Sequence, residues 1–343
     1  MAAGRGIGRY FSVVGMVPSI AAVAWMTFLF AAGAWARPFD PGSAVHVLSG
    51  LGLGSISGLI AAALVLGLLI NPFQFTVTQW MEGYWGGGNL ASRFAARRIN
   101  RYRSEVRAWL MRGQHAEVTL IREALFLDHV PDPESQDELL EEALVELEGM
   151  PGDRLIRLDQ IRRFNLRFRE RFPPDMARVM PTRLGNALRT FEDKAGRQYE
   201  LDATVIAPHL DLLESNPRSL YVQDTRQTMD LSVRLCTMAL LATPLTAVLL
   251  ADDGAWLLLT LAPYAVGYLA YRGAVSCAQA YGNAVRFQID IDRFALYRAL
   301  RVTPPGDSST ERSQNRKLIS SLRGEVVHLN YANPVPEPNK SSS

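Results

Sequence analysis

Lysine is nearly missing from this chain. Only Lys194, Lys317 and Lys340 occur among 36 basic residues, so arginine carries the positive charge. Together with abundant alanine, this reads as GC-rich bacterial codon usage rather than a selected site. The net charge is only +2, which gives no reason to expect nucleic acid as a partner. Cysteine is also scarce: Cys236 and Cys277 are the two in the chain, and both flank apolar runs. That excludes a disulfide framework and a zinc-ligand spacing, and leaves two buried apolar thiols. The histidines at 46, 115, 129, 209 and 328 are scattered, with no H-E-x-x-H string. No metal or other cofactor is expected. There is no P-loop and no G-x-S-x-G. The glycines near 50–58 lie in an apolar run rather than after a strand, so they make no dinucleotide fingerprint. No string names a reaction, and the enzyme class is not indicated.

What the chain does have is uncharged apolar runs. Ser19–Ala36, Val47–Met81, Leu235–Ala251 and Gly254–Tyr271 contain no Asp, Glu, Lys or Arg. Runs of about 18 or more such residues read as membrane helices. The expected fold is all-α and polytopic: four spans in two hairpins, with a helical cytoplasmic domain between them. The expected divisions are a first hairpin over 1–72, an interfacial helix over 73–90, a cytoplasmic helical domain over 91–231, a second hairpin over 232–272, C-terminal cytoplasmic helices over 273–326 and a disordered tail over 327–343. Arg5 and Arg9 before the first run, with Ala34-Trp35-Ala36 after it, also match a cleaved signal peptide, but the run from Val13 is longer than an ordinary signal core.

Charge orients the spans. The loop 37–46 has one arginine, whereas Arg93–Arg112 holds seven against the single acid Glu105, and the turn Asp252-Asp253-Gly254 is short and acidic. By the positive-inside rule both termini and the region from about 86 to 231 face the cytoplasm of a bacterial inner (plasma) membrane. Gly50, Gly54 and Gly58 recur at i, i+4, i+8, a small-residue ridge suited to packing helices within or between chains. Asn71-Pro72 is expected to break the second run. Phe73, Val77, Trp80 and Tyr84 then share the face of a helix lying at the inner interface, ended by Gly86–Gly88.

In the polar region, Phe94, Ile99, Tyr102, Val106 and Trp109 stripe a basic helix. Asp128–Asp153 has ten acids and no Lys or Arg, and Arg154–Arg171 turns basic again, with Leu155, Leu158, Ile161, Phe164 and Phe168 as its stripe. Opposite charge blocks suggest that the acidic and basic helices pair antiparallel.

The stretch PTRLGNALRTFEDKAGRQYELDATVIAPHL, residues 181–210, gathers the candidate site. Thr182 can cap a helix, Gly185 in its first turn permits a close approach, and Asp202 can cap a second helix. Glu82, Tyr84, Trp85, Thr182, Arg183, Gly185, Asn186, Glu192, Asp202, His209, Asp290 and Arg293 are the candidates for a structural, lipid-headgroup or partner cluster. Asp290 and Arg293 are expected to pair at i, i+3, and Glu82 to pair with an arginine from 93–107 or 183–189.

PTRLGNALR with Glu192, YELDA at 199–203, PHL at 208–210, EGYW at 82–85 and IDIDR at 289–293 together resemble a family of uncharacterised, mostly actinobacterial, multi-pass integral membrane proteins. The likeness runs from the second apolar run to about residue 300. The family pattern near PHL is Trp-Pro-Arg-Leu. Ala207 and His209 stand in its first and third places here, which removes an aromatic anchor and a fixed positive charge. The resemblance implies architecture and no activity. The expected function is a membrane-anchored interaction or scaffold protein, in contact with membrane lipids and with a protein partner or further copies of itself. An oligomeric channel or transporter is the alternative, and an enzyme acting at the membrane interface on lipid or peptide is the second.

Overall fold

A computed structural model describes residues 16–35, 38–149, 152–212 and 217–331. Arg5, Arg9, the Ala36 end of the A-x-A string and the part of the expected tail from 332 lie outside the described residues. Within them the chain is helical without strands, and one isolated bridge joins Val302 to Tyr331. The chain divides into two compact units. One comprises Met1–Tyr84 with Phe191–Ser343; the other is Trp85–Thr190. The inserted unit is shorter than the 91–231 expected, because residues after 190 pack with the helices that follow them.

In the first unit, α1 (Val17–Ala31), α2 (Pro41–Ser49), α3 (Leu53–Ile70), α4 (Gln74–Glu82), α10 (Pro217–Leu249) and α11 (Leu261–Ala299) carry the apolar runs. Among the described residues, three helical stretches are long and apolar enough to cross a membrane: Leu53–Glu82, Ser219–Leu249 and Gly254–Ala299. The first apolar run is described as a helix of 15 residues, short of the ~20 that a bilayer crossing needs. Two expectations about the second run change. Its start is not one helix, since α2 stops at Gly50 and α3 begins at Leu53. Gly50 therefore caps one helix while Gly54 and Gly58 lie in the next, and a Cβ on either of the latter would meet open space. Nor does Asn71-Pro72 break the run. It forms a 3-10 turn, Asn71–Phe73, that leads directly into α4, and the helix ends at Gly83 with a left-handed φ of 108°. Proline costs little there, because its missing N–H falls at the start of a helical turn.

The close helix packing lies elsewhere. α10 and α11 run along one another, and α11 buries Ala270, Ala274, Ala278 and Gly282, a small residue every fourth position. At Gly267 a Cβ would come 3.2 Å from Leu240. Past the apolar stretches, α11 forms a second core with α9 (Ala203–Leu212) and α12 (Ser308–Leu322), centred on Ile206, Leu210, Ile289, Leu296, Tyr297 and Leu318. The first residues of the expected tail belong to it as well: Leu329 packs on this core and Thr303 N–H bonds to Asn330 O at 2.9 Å. At the opposite end of α10, Phe39 N–H donates to Asp253 Oδ1 at 2.9 Å and Trp25 Nε1 to Thr246 Oγ1 at 3.0 Å, which ties the loop after α1 to the turn after α10.

In the inserted unit, α5 (Asn89–Ala124) and α7 (Asp153–Arg169) pack along one another, with α6 (Gln136–Glu146) on the far part of α5. The expected acidic–basic pairing is thus replaced: the basic helix α7 packs on basic α5. Aromatic rings overcome the like charge. Trp109 meets Phe164 and Phe168 with centroids at 4.9 and 5.5 Å, and Phe172 meets Phe168 and Tyr102 at 5.3 and 5.8 Å. Each such pair contributes ~0.5–1.5 kcal/mol beyond its buried area. Three members of the expected stripes are exposed, Phe94, Ile161 and Phe164, although the Phe164 ring still meets Trp109.

Gly282 supplies a test. Gly→Ala inside a helix ordinarily stabilises by about 1 kcal/mol. Here a Cβ would lie 2.5 Å from Phe191 Cβ. Gly282→Ala is expected to destabilise by ~1–3 kcal/mol in detergent melts, while Gly58→Ala, facing open space, leaves stability unchanged or higher.

Candidate functional site

The sequence-derived candidates are divided between the two units. Thr182, Arg183, Gly185 and Asn186 lie in the inserted unit at the start of α8 (Arg183–Lys194). Their geometry explains the string PTRLGN. Thr182 Oγ1 accepts from Gly185 N–H at 3.0 Å and caps the helix. Asn186, 1% exposed, works as a two-sided backbone clamp. Its Oδ1 accepts from Met180 N–H at 2.8 Å, and its Nδ2 donates to Met180 O and Thr182 O at 3.0 and 2.8 Å. An aspartate could not donate, and a glutamine would overreach. This asparagine holds a loop.

Glu82, Tyr84, Glu192, Asp202, His209, Asp290 and Arg293 belong to the first unit, and Trp85 begins the other. Asp202 caps α9 through Thr204 N–H at 2.9 Å and pairs with Arg323. Burial pushes its carboxyl up, but the bonds from Thr204 and Arg323 outweigh that and hold it below the usual value. His209 Nδ1 lies 2.8 Å from Val205 O, a bond inside its own helix. The expected Asp290–Arg293 side-chain pair is not formed. Asp290 accepts from Gln198 Nε2 at 2.8 Å, whereas Arg293 bonds the Asp290 backbone carbonyl and donates to Glu311 Oε1 at 2.7 Å. The Arg293 guanidinium also stands 4.0 Å from the Tyr199 ring centroid and 4.3 Å from that of Phe294. Asn315 completes the group by accepting from Tyr297 Oη and donating to Tyr199 O at 2.8 Å.

Glu311 and Asn315 were missed because α12 reads as a solvated helix. The signal is present but faint: Glu311, Asn315, Leu318 and Ile319 recur at i, i+4, i+7, i+8, and all are buried. Also missed was Arg234. It stands directly before the uncharged run Leu235–Ala251, within the helical stretch Ser219–Leu249, and is 5% exposed. Its Nη2 donates to Asn71 Oδ1 at 2.6 Å and to Gln74 Oε1. The polar residues of the NPFQ turn thus have a partner: they receive a buried guanidinium. A guanidinium withdrawn from water is costly unless it recovers hydrogen bonds of this kind.

Asp211 is a half-buried carboxyl, with Gln288 Nε2 donating to its Oδ1 at 3.4 Å. Burial pushes the Asp211 carboxyl up, against the opposing pull of the Gln288 bond and of Arg226. Among the described residues no three His, Cys, Asp or Glu side chains converge as metal ligands. Between α1, α10 and α11 lies a cavity of about 240 Å³ walled by Pro18, Trp25, Met238, Ala239, Pro263 and Val266. Its walls suit hydrocarbon rather than a charged substrate.

Two outcomes follow. Arg293→Met leaves Glu311 buried without its cation and is expected to cost about 3 kcal/mol in unfolding measurements. A carboxyl with a raised folded pKa lends stability while protonated, and that stability is lost as pH rises through the folded value. Asp211→Asn is therefore expected to raise the melting temperature near neutral pH, with the gain shrinking toward pH ~4, where the unfolded carboxyl titrates. No protein-family model matches this chain, and no curated protein or solved structure matches it either, so its role is read from its own geometry.

Proposed function

We propose that the chain is a membrane-anchored interaction protein of a bacterial inner membrane, with four crossings, both termini on the cytoplasmic side, and the inserted unit as its partner-binding head. Arginine-rich α5 after one span and the acidic Asp252-Asp253 turn after another support that orientation. The proposed resemblance to multi-pass membrane proteins through EGYW and PTRLGN fits the same reading.

One observation carries it. At the end of α5, Leu125 and Leu127 pack into the Leu120, Ile121, Ala143 core, while Phe126 between them turns outward, 91% exposed and at a left-handed φ of 51°. A bulky residue in that conformation is strained, and such strain collects at binding sites. Val130 and Val145 are also exposed, and Asp137, Glu138, Glu141, Glu142 and Glu146 line the adjacent α6. An aromatic anchor rimmed by carboxylates suits a protein partner with an apolar pocket and a basic rim.

The test is co-purification in mild detergent. A partner recovered with the wild-type chain is expected to be lost with Phe126→Asp, at unchanged membrane yield. A partner set identical for the two chains, or the bare protein across several detergents and cross-linkers, overturns the reading. Orientation is checked separately by cysteine labelling of intact cells after replacement of Cys236 and Cys277. Asp252→Cys is expected to react from outside and Asp137→Cys not to react. Asp252 is the better position because Asp253 holds Phe39.

A further inference from the structure

The solvent face of α5 has no role in the packing described above. Tyr102, Val106, Gly113, Ala116 and Leu120 bury one side of this helix. The opposite side carries Leu90, Arg93, Phe94, Arg97, Arg101 and Met111, all exposed. At 100° per residue these six fall within one half of the helix circumference. Leu90 and Phe94 are a helical neighbour pair, 72% and 58% exposed, and Arg93, Arg97 and Arg101 form a row at i, i+4, i+8 beside them. The first 24 residues of α5 hold seven arginines and one acid, Glu105. Arg98 and Arg112 cover Tyr102 and Trp109, and Arg103 binds Met176 O, so those three belong to the unit's own packing. The row at 93, 97 and 101 does not.

Covalent continuity limits where this face can be. The span Leu53–Glu82 closes with exposed Trp80 and Tyr84, residues that settle at headgroup level. Seven residue steps separate Glu82 from Asn89, so α5 starts within ~25 Å of that level even if the linker is fully extended. Left-handed turns at Gly83 and Gly86 redirect the chain within that reach.

We infer that the Leu90–Arg101 face of α5 docks on anionic phospholipid headgroups of the leaflet where the span Leu53–Glu82 ends. The arginine row pairs with lipid phosphates, and Leu90 and Phe94 enter the headgroup–acyl boundary. A basic amphipathic face directly after a membrane span has the composition for this, and the charge is complementary. An interfacial helix was expected over 73–90; α5, which starts at Asn89, extends that role beyond those residues. The inference is independent of the partner proposed for Phe126.

The full chain, with Cys236 and Cys277 replaced and Ser104→Cys carrying an environment-sensitive fluorophore, tests it in nanodiscs. Ser104 is exposed on the same face and bonds only the Arg101 carbonyl. In phosphatidylcholine–phosphatidylglycerol discs the emission is expected to be blue-shifted and quenched by lipids spin-labelled near the headgroup. Both effects are expected to be lost in phosphatidylcholine alone and in about 1 M salt, where screening falls to ~3 Å. Arg93→Glu, Arg97→Glu and Arg101→Glu together should abolish quenching, and the matching triple lysine variant should restore it. Equal emission in the two lipids, quenching that survives charge reversal, or a water-exposed signal in both discs, as a face reserved for an acidic protein or a second copy would give, overturns the inference.

Discussion

Everything in the larger unit depends on how closely α10 and α11 approach. Between apolar helices in lipid the hydrophobic effect offers no net attraction, so association rests on dispersion and on backbones coming near. Ala270, Ala274, Ala278 and Gly282 keep one face of α11 thin enough for that approach, and Leu240 fills the hollow over Gly267. Because both helices continue past their apolar ends, the same contact sets the register of the polar core around Ile206, Ile289 and Leu318. A lateral shift of α11 in the apolar region would therefore displace the packing of α9 and α12.

The buried polar groups obey one constraint: a group withdrawn from water must recover its hydrogen bonds. Asn186 does so by clamping the loop before its own helix, Glu311 by taking the Arg293 guanidinium, and Arg234 by engaging Asn71 and Gln74. Each joins segments far apart in the chain or conformationally irregular, which gives these residues a role in specifying one arrangement among several compact ones. None pairs a nucleophile with a base, and the 240 Å³ cavity is apolar.

The inserted unit has a different economy. Its helices α5 and α7 share a sign of charge yet pack together, because rings at 102, 109, 164, 168 and 172 interleave, and the guanidinium groups of Arg98 and Arg112 lie over aromatic faces. Packing basic helices on one another segregates charge. The start of α5 and the end of α7 are arginine-rich, and the region from 128 to 153 is acidic. A unit polarised in this way presents two chemically distinct faces, one matched to anionic and one to cationic surfaces.

Local pattern was enough for the helical class, the apolar runs, the Thr182 and Asp202 caps and the stripe Tyr102–Val106, because these depend on residues within a few turns of one another. The choice of glycine ridge was not legible. The Gly50–Gly58 and Ala270–Gly282 series look alike in a string, and which of them meets a neighbour depends on where the chain turns, here at Gly50–Gly52. Nor was the partner of the NPFQ turn legible, because Asn71 and Gln74 are met by Arg234, 160 residues or more away in sequence. Arg293, its guanidinium covered by Tyr199 and Phe294, bypassed the side chain of its half-buried i, i+3 neighbour for the more deeply buried Glu311, where the attraction is less screened by solvent. Sequence alone determined that this is a helical chain built to meet a membrane. Tertiary structure decided which polar residues are buried and which faces remain open, since burial is set by contacts between segments that no local spacing encodes.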